Sequence, residues 1–204
     1  MDECLGSLEK QSLNANIVVV DNASTDDSVK IVRKHTDVDL VELSHNRGFA
    51  GGVNAGIGFA LAQGADFVAL FNNDAVADKD WLKNLVDAAK KDKKIGIVTC
   101  KLLHFDGKKI DSTGDFYSSW GFPFPRGRDE KEEGQYDGQR EIFSGSGGAS
   151  LYRAEMLKEV GLFDEDFFAY FEDVDLGFRA QLAGWKAVYE PSAKAFHRIG
   201  GTSS

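Results

Sequence analysis

Short runs of β-branched and aromatic residues, each followed by a stretch of helical period, recur through the first hundred positions and constrain the fold more than any other feature. Runs at 17–20, 38–43 and 67–71 lead into helical stretches at 29–34, 53–62 and 81–89, and a further strand-like run fills 95–100. Strands joined by crossover helices pair mostly in parallel. The pattern therefore predicts an α/β fold, a mostly parallel sheet with helices on both faces. The helix over 81–89 is the clearest. Trp81, Leu82, Leu85, Val86 and Ala89 form one apolar stripe behind Asp78 and Asp80 as caps.

Beyond residue 101 the pattern changes. Between 119 and 141 two prolines, several glycines and the charge run at 126–133 break any period, so a long loop is expected there, either a functional flap or a solvated excursion. Helices near 153–160 and over 173–183, the second closed by Gly184, and a strand over 186–189 complete the predicted order.

At 204 residues the chain fits one domain, 1–204. Acidic residues outnumber basic ones 33 to 24, for a formal charge of -9, and no basic stripe stands out. Nucleic acid is thereby excluded as a partner. Cys4 and Cys100 have no metal-ligand spacing and read as reduced thiols, which suits the cytoplasm. No window nears the roughly 18 apolar residues of a membrane span, and no signal segment follows Met1. The chain is expected to be soluble, with docking to the inner face of a membrane left to parts outside it.

Ligands of open α/β sheets bind beyond the carboxyl ends of the strands, and three such ends here are polar. Asp21 closes the first run, where it could meet a nucleoside or make a turn; Ser24, Thr25 and Asp26 suit the capping of the next helix. The second end holds Asn46, Arg47, Gly51 and Asn54 in a glycine-rich run that matches neither the Walker nor the dinucleotide fingerprint. Its glycines admit a ligand or a neighbouring helix. Arg47 could face a diphosphate or a surface carboxylate. The third end is Asn72-Asn73-Asp74, oxygen donors that suit magnesium or manganese but also fit a plain turn.

Further on, Glu172, Asp173 and Asp175 crowd the start of a helix, framed by Phe167, Phe168, Tyr170 and Phe171. This suggests a carboxylate at the mouth of an aromatic pocket. Asp175 sits four residues before Arg179 and could simply pair with it. His197 follows a strand-like segment and is open to a structural or a metal-binding role.

In this order, the blocks VVVDNASTDDS, NRGFAGGVNAG, LFNNDA, SGSGGASLYR, GLFDEDFFAYFEDVDLGFR and HRIGG resemble the family 2 glycosyltransferases. The likeness is to the rhamnosyltransferase-like members of bacterial surface-polysaccharide synthesis and spans nearly the whole chain. It implies a GT-A fold that binds a nucleotide-diphosphate sugar, thymidine-diphosphate rhamnose or a uridine-diphosphate hexose. Asp21 would contact the nucleoside, with Asn46, Arg47, Gly51, Asn54, Asn72 and Asn73 in the donor site. Asp74 falls on the metal-binding acid of the family's DXD-type motif, with asparagines in place of the acids before it. His197 would complete the site for Mg2+ or Mn2+.

By the same resemblance Asp173 is the general base, kept ionised by the helix dipole, and Glu172 orients the acceptor or a loop. A hydroxyl of a glycan or lipid-linked saccharide would attack in a single displacement that inverts the anomeric centre. Two rivals stand beside this. A nucleotide-sugar pyrophosphorylase would want a glycine-rich basic signature near its start, which is not seen. A catalytically silent nucleotide-sugar-binding module would differ only in its lack of turnover. The resemblance further implies that Met1 falls inside the first helix. The first, central strand would then be absent, the chain truncated at both ends, and its strand edges free to form a homo-oligomer.

Overall fold

The computed structural model describes residues 1–198; Ile199, Gly200 and Gly201 of the HRIGG block lie outside them. The order is α1 (Asp2–Leu8), β1 (Ile17–Asp21), α2 (Ser28–Val32), β2 (Val38–Glu42), α3 (Gly48–Ala62), β3 (Phe67–Phe71), β4 (Ala75–Ala77), α4 (Trp81–Lys90) and β5 (Ile95–His104). The second half adds β6 (Ile110–Ser112), β7 (Asp115–Tyr117), β8 (Pro123–Pro125), β9 (Glu141–Ile142), β10 (Ala149–Arg153), α5 (Ala154–Val160), a 3-10 turn (Glu165–Phe167), α6 (Glu172–Leu182) and β11 (Lys186–His197).

The main sheet runs β3-β10-β5-β11-β4, with β6 added on β5 and β9 on β11. Pairing within it is mixed. β5 and β11 run parallel, whereas β10 lies antiparallel to both β3 and β5, and β4 antiparallel to β11. β1 and β2 pair in parallel in a separate two-stranded sheet. The α/β layering follows from the alternating first half. The antiparallel ladders come from the second half, which re-enters the sheet without a crossover helix for each strand.

Because successive strand side chains point to opposite faces, neighbours on one strand feed two cores. Val98 and Leu151 join Trp81, Leu85 and Ala89 of α4 on one face. Ile97 and Tyr152 join Ile57 of α3, Met156 of α5 and Leu176 of α6 on the other. The stripe predicted for α4 is the buried one. Its cap differs from expectation: Asp80 makes no side-chain cap bond, and Gln11 Oε1 accepts the Leu82 N–H at 2.9 Å instead. At α2 the N-cap residue is Asp27, without a side-chain cap bond, and Asp26 just before it accepts from Ser28 N at 2.9 Å.

The segment at 119–141 is more built than a loop. Residues 118–121 close a tight turn between β7 and β8. Beyond it the Arg126 guanidinium is buried among the rings of Phe116, Tyr136 and Tyr189. Its nitrogens donate to Thr113 Oγ1 and to the carbonyls of Thr113 and Gln139. Lys101, whose side chain is 3% exposed, reaches out of β5 to Glu132 and Asp137, each at 2.6 Å. The strand expected over 186–189 continues as β11 to His197, passing Pro191 where its register against β5 shifts. Both cysteines are free and buried; burial pushes the Cys4 thiol up to about 11 and Cys100 up to about 12. No helix of the described residues is long and apolar enough to cross a membrane.

Candidate active site

The carboxyl end of β1 and the start of α3 are joined by one asparagine network. Asn22 accepts the Arg47 N–H at 2.9 Å and donates to Gly48 O at 2.8 Å and Asn46 Oδ1 at 3.0 Å. Asn46 Oδ1 also accepts the Gly48 N–H at 2.8 Å. Asp21 ends β1 opposite Glu42 and accepts from Ser24 N at 3.2 Å, so it does make the turn. Asn22 was not singled out from the sequence; its position directly after a strand-ending aspartate was the available signal.

Arg47 points at a carboxylate, Glu165, with Nη2 2.8 Å from both of its oxygens. Asn54 is committed to the same segment, donating to Phe163 O at 2.8 Å and Glu165 Oε1 at 3.2 Å and accepting from Phe163 N at 3.1 Å. A side chain at Gly51 would press on Arg47 and on Glu165 Oε2. The absence of one there keeps room for the Arg47–Glu165 pair. At Gly48, with φ +71°, an added Cβ would meet the Phe168 carbonyl and ring.

Asn72-Asn73-Asp74 links β3 to β4. Asn72 N donates to Gly148 O at 2.8 Å, Asn73 is exposed, and Asp74 stands just before the ladder in which Ala75 pairs with His197. That register brings His197 Nε2 to 3.1 Å from Asp74 Oδ1. The other ring nitrogen, Nδ1, lies 2.8 Å from Oδ2 of Asp111, a buried residue of β6 that sequence reasoning missed. The hydrogen bond to Asp111 is the main cause of a raised His197 pKa, with the charge of Asp74 adding to it and burial opposing it.

A neutral imidazole has one N–H and cannot donate to two ionised carboxylates. With Nδ1 turned to Asp111, the Nε2 side toward Asp74 calls for a cation, either a proton or a metal. An imidazole nitrogen and a carboxylate oxygen side by side fit Mn2+ or Mg2+. Among the described residues no three His, Cys, Asp or Glu side chains converge as a complete ligand set.

Asp173 opens α6. Its Oδ2 accepts the Gly147 N–H at 2.9 Å and its Oδ1 the Val174 N–H at 2.8 Å. Burial raises its pKa and outweighs the lowering by these donors. Burial thus works against the helix start, which favours the ionised form, and makes the carboxylate more basic than an exposed one. Glu172 is buried and likewise raised by burial, and Asp175 is ion-paired to Arg179 at 2.7 Å. The predicted aromatic frame is a surface rather than a closed pocket. Phe167, Phe168, Tyr170 and Phe171 are all exposed, and the last three have φ of +58°, +71° and +71°. Such backbone in non-glycine residues is strained.

The turn at 145–148 connects the clusters, bonded to Asn72 through Gly148 and to Asp173 through Gly147. Under it, Ser144 Oγ donates to Asp173 O at 2.7 Å and Ser144 O accepts the Asp115 N–H at 2.9 Å. Asp115 is a second missed acid. It is 9% exposed, and burial foremost, then the charge of Asp173, pushes its pKa up to about 7. One short segment, Ile110 to Tyr117, thus delivers a buried carboxyl to the histidine and another to the neighbourhood of Asp173.

The family model described as glycosyl transferase family 2 matches residues 1–161. An N-acetylglucosaminyl-diphospho-decaprenol L-rhamnosyltransferase of Mycobacterium tuberculosis is 30% identical over 205 aligned residues, covering 89% of this chain and 66% of that protein. The O-antigen biosynthesis protein RfbC of Myxococcus xanthus is 29% identical over 89% of this chain and 14% of its own length. The chain therefore spans about two thirds of the first relative and a small part of the second. Among solved structures, GalNAc-T7 with UDP, GalNAc and Mn2+ superposes with TM-score 0.74 at 16% identity, covering 97% of this chain and 41% of that one. A mannosyltransferase of Pyrobaculum calidifontis in complex with GDP-Man and Mn2+ gives 0.70 at 21% identity, covering 99% and 54%.

Proposed function

The chain belongs to glycosyl transferase family 2 and has the GT-A fold, and from that premise we propose that it moves a sugar from a nucleotide-diphosphate donor to a hydroxyl acceptor, inverting the anomeric centre. The observation that carries this is the stitching of three clusters by the 145–148 turn and the 163–168 segment: the asparagine network at α3, the Asp74–His197 pair, and Asp173. Asp21, Asn22 and Asn46 lie at the donor end. Asn54 and Gly51 act there indirectly, since they seat Glu165, which seats Arg47. Arg47 turns to the donor diphosphate by exchanging one anionic partner for another. Asn72 and the exposed Asn73 offer amides beside Asp74.

Asp74 and His197 would hold Mg2+ or Mn2+, which would offset the charge on the departing diphosphate. Asp173 accepts the proton of the attacking hydroxyl, its raised pKa making it a better acceptor than an exposed aspartate. Glu172, buried beside it, orients the acceptor side. Rhamnose or a hexose is the proposed sugar and a glycan or lipid-linked saccharide the acceptor, in keeping with the names of the relatives.

Thermal shift against a panel of nucleotide sugars with Mn2+ identifies the donor. Transfer to a lipid-linked saccharide, with the product anomer read by NMR, then tests the reaction. A retained configuration would refute inversion. Donor binding without transfer or donor hydrolysis would favour the silent binding module.

A further inference from the structure

Asp111 belongs to no block that carries the family resemblance, yet its placement is closely determined. β6 pairs antiparallel with β5 through Ile110 opposite Leu103 and Ser112 opposite Leu102. Two adjacent residues of β5 thus face two residues of β6 that have one residue between them, and Asp111 is that extra residue of a β-bulge. Bulges re-aim a side chain out of its ladder and recur beside active sites. On the far side of β5, β11 runs parallel and ends at His197, opposite His104. The bulge aims the Asp111 carboxyl at that end, with Oδ2 2.8 Å from His197 Nδ1 and the side chain 4% exposed. Its other oxygen is 3.2 Å from Arg128 Nη2, and Arg128 Nε donates to the Asp111 carbonyl at 3.3 Å.

We propose that Asp111 is the positioning residue of the metal site: by accepting the Nδ1–H of His197 it fixes the ring's orientation and tautomer, so that the Nε2 lone pair faces the cation beside Asp74. An ionised carboxylate can only accept, so the ring nitrogen facing it is the one that carries hydrogen. Carboxylates in this position orient metal-binding histidines and make them more basic, and their loss costs about 10- to 100-fold in metal affinity. The proposal rests on the reading that Asp74 and His197 hold the cation. Arg128 is half exposed and braces Asp111 without touching the histidine.

Mn2+ is titrated calorimetrically into the full chain in the presence of whichever of UDP, GDP and dTDP raises its melting temperature most. Asp111→Ala should weaken Mn2+ by about 10- to 100-fold. Asp111→Asn, whose amide oxygen can still accept, should lose less. In parallel, nitrogen-15 correlation spectra of the His197 ring should show hydrogen on Nδ1 in the wild type and a mixed tautomer in Asp111→Ala. Should Asp111→Ala not fold, the wild-type tautomer decides. The inference is overturned if His197→Ala loses Mn2+ affinity while Asp111→Ala stays within about twofold with an unchanged tautomer, or if the wild-type ring carries its hydrogen on Nε2. If His197→Ala also keeps full affinity, the metal reading falls, and the role of Asp111 with it.

Discussion

Replacing Asp115 by asparagine should raise the stability of the protein relative to wild type as the pH rises from 5 to 8. An aspartate that ordinarily ionises near 3.8 holds its proton here to about 7. Burial is the main cause, the neighbouring Asp173 charge adds to it, Arg128 opposes it, and Asp111 contributes a smaller push upward. Between those two pH values the folded chain binds more protons at this site than the unfolded chain, so stability falls as pH rises through the window and levels off above about 7. At about 1.4 kcal/mol per pH unit, the loss between pH 5 and pH 7 is about 3 kcal/mol. The amide introduced by Asp115→Asn does not titrate, so the stability of the variant relative to wild type should rise by that amount from pH 5 to pH 8. For a chain of this size it corresponds to about 6–12 °C in melting temperature. Thermal melts of both proteins at pH 5, 6, 7 and 8 measure it. A difference that stays constant with pH would show that Asp115 is ionised throughout and that the burial argument fails. In Asp173→Asn the second cause is gone, so the window should move to lower pH.

The other expectations address separate parts of the molecule. Asp173→Asn should lower turnover by about a hundredfold with donor binding little changed, and near-normal turnover would make Asp173 structural and open the base role to Glu172 or Asp175. Arg126→Ala should cost about 2–4 kcal/mol in urea unfolding, because it removes a buried guanidinium stacked on three rings and leaves the Thr113 and Gln139 carbonyls without their donor; a loss under about 0.5 kcal/mol would make the 119–141 segment self-supporting.

The elements legible in the sequence are those whose period is set locally. α4 has its stripe because a helix must hide one face, and β5 has its long, largely apolar run because both faces are covered, whereas β1, β2 and β3 are mostly only partly buried. Asp74, His197, Asp173 and Asn46 were legible as candidates because each stands at the end of such an element. What was hidden depends on distant partners. The insertion of β10 between β3 and β5 is a pairing choice made across some 50 to 80 residues of chain, and local pattern carries no trace of it. Arg126 and Lys101 look like ordinary surface charges until the rings and carboxylates that receive them are in place. Asp111 and Asp115 sit in the run Ile110 to Tyr117 with no motif around them. Their importance comes from a bulge and from burial, both products of the finished fold. Asn54 shows the same limit from the other side: in a glycine-rich helix start it reads as ligand-facing, whereas its bonds tie that helix to Phe163 and Glu165, partners that only the finished fold brings near.

The division of the strands into two sheets bears on how the site works. The proposed donor end rests on β1 and β2, whereas Asp74, His197 and Asp173 are fixed to the main sheet or to α6. No strand ladder joins the two halves among the described residues. They are held instead by α3, which packs on both β1 and β3, and by its bonds to the 163–168 segment: Asn54 to Phe163, Arg47 to Glu165, and Ala50 N to Phe168 O. These are side-chain and single-backbone bonds, half of them open to water, and each is worth about 1 kcal/mol rather than the sum of a ladder. The strained aromatic residues at 168–171 lie just beyond them and lead directly into Asp173. On the roles proposed above, a diphosphate that drew Arg47 away from Glu165 would loosen the bond next to that strained stretch. Donor binding and the setting of Asp173 would then be coupled through one short segment.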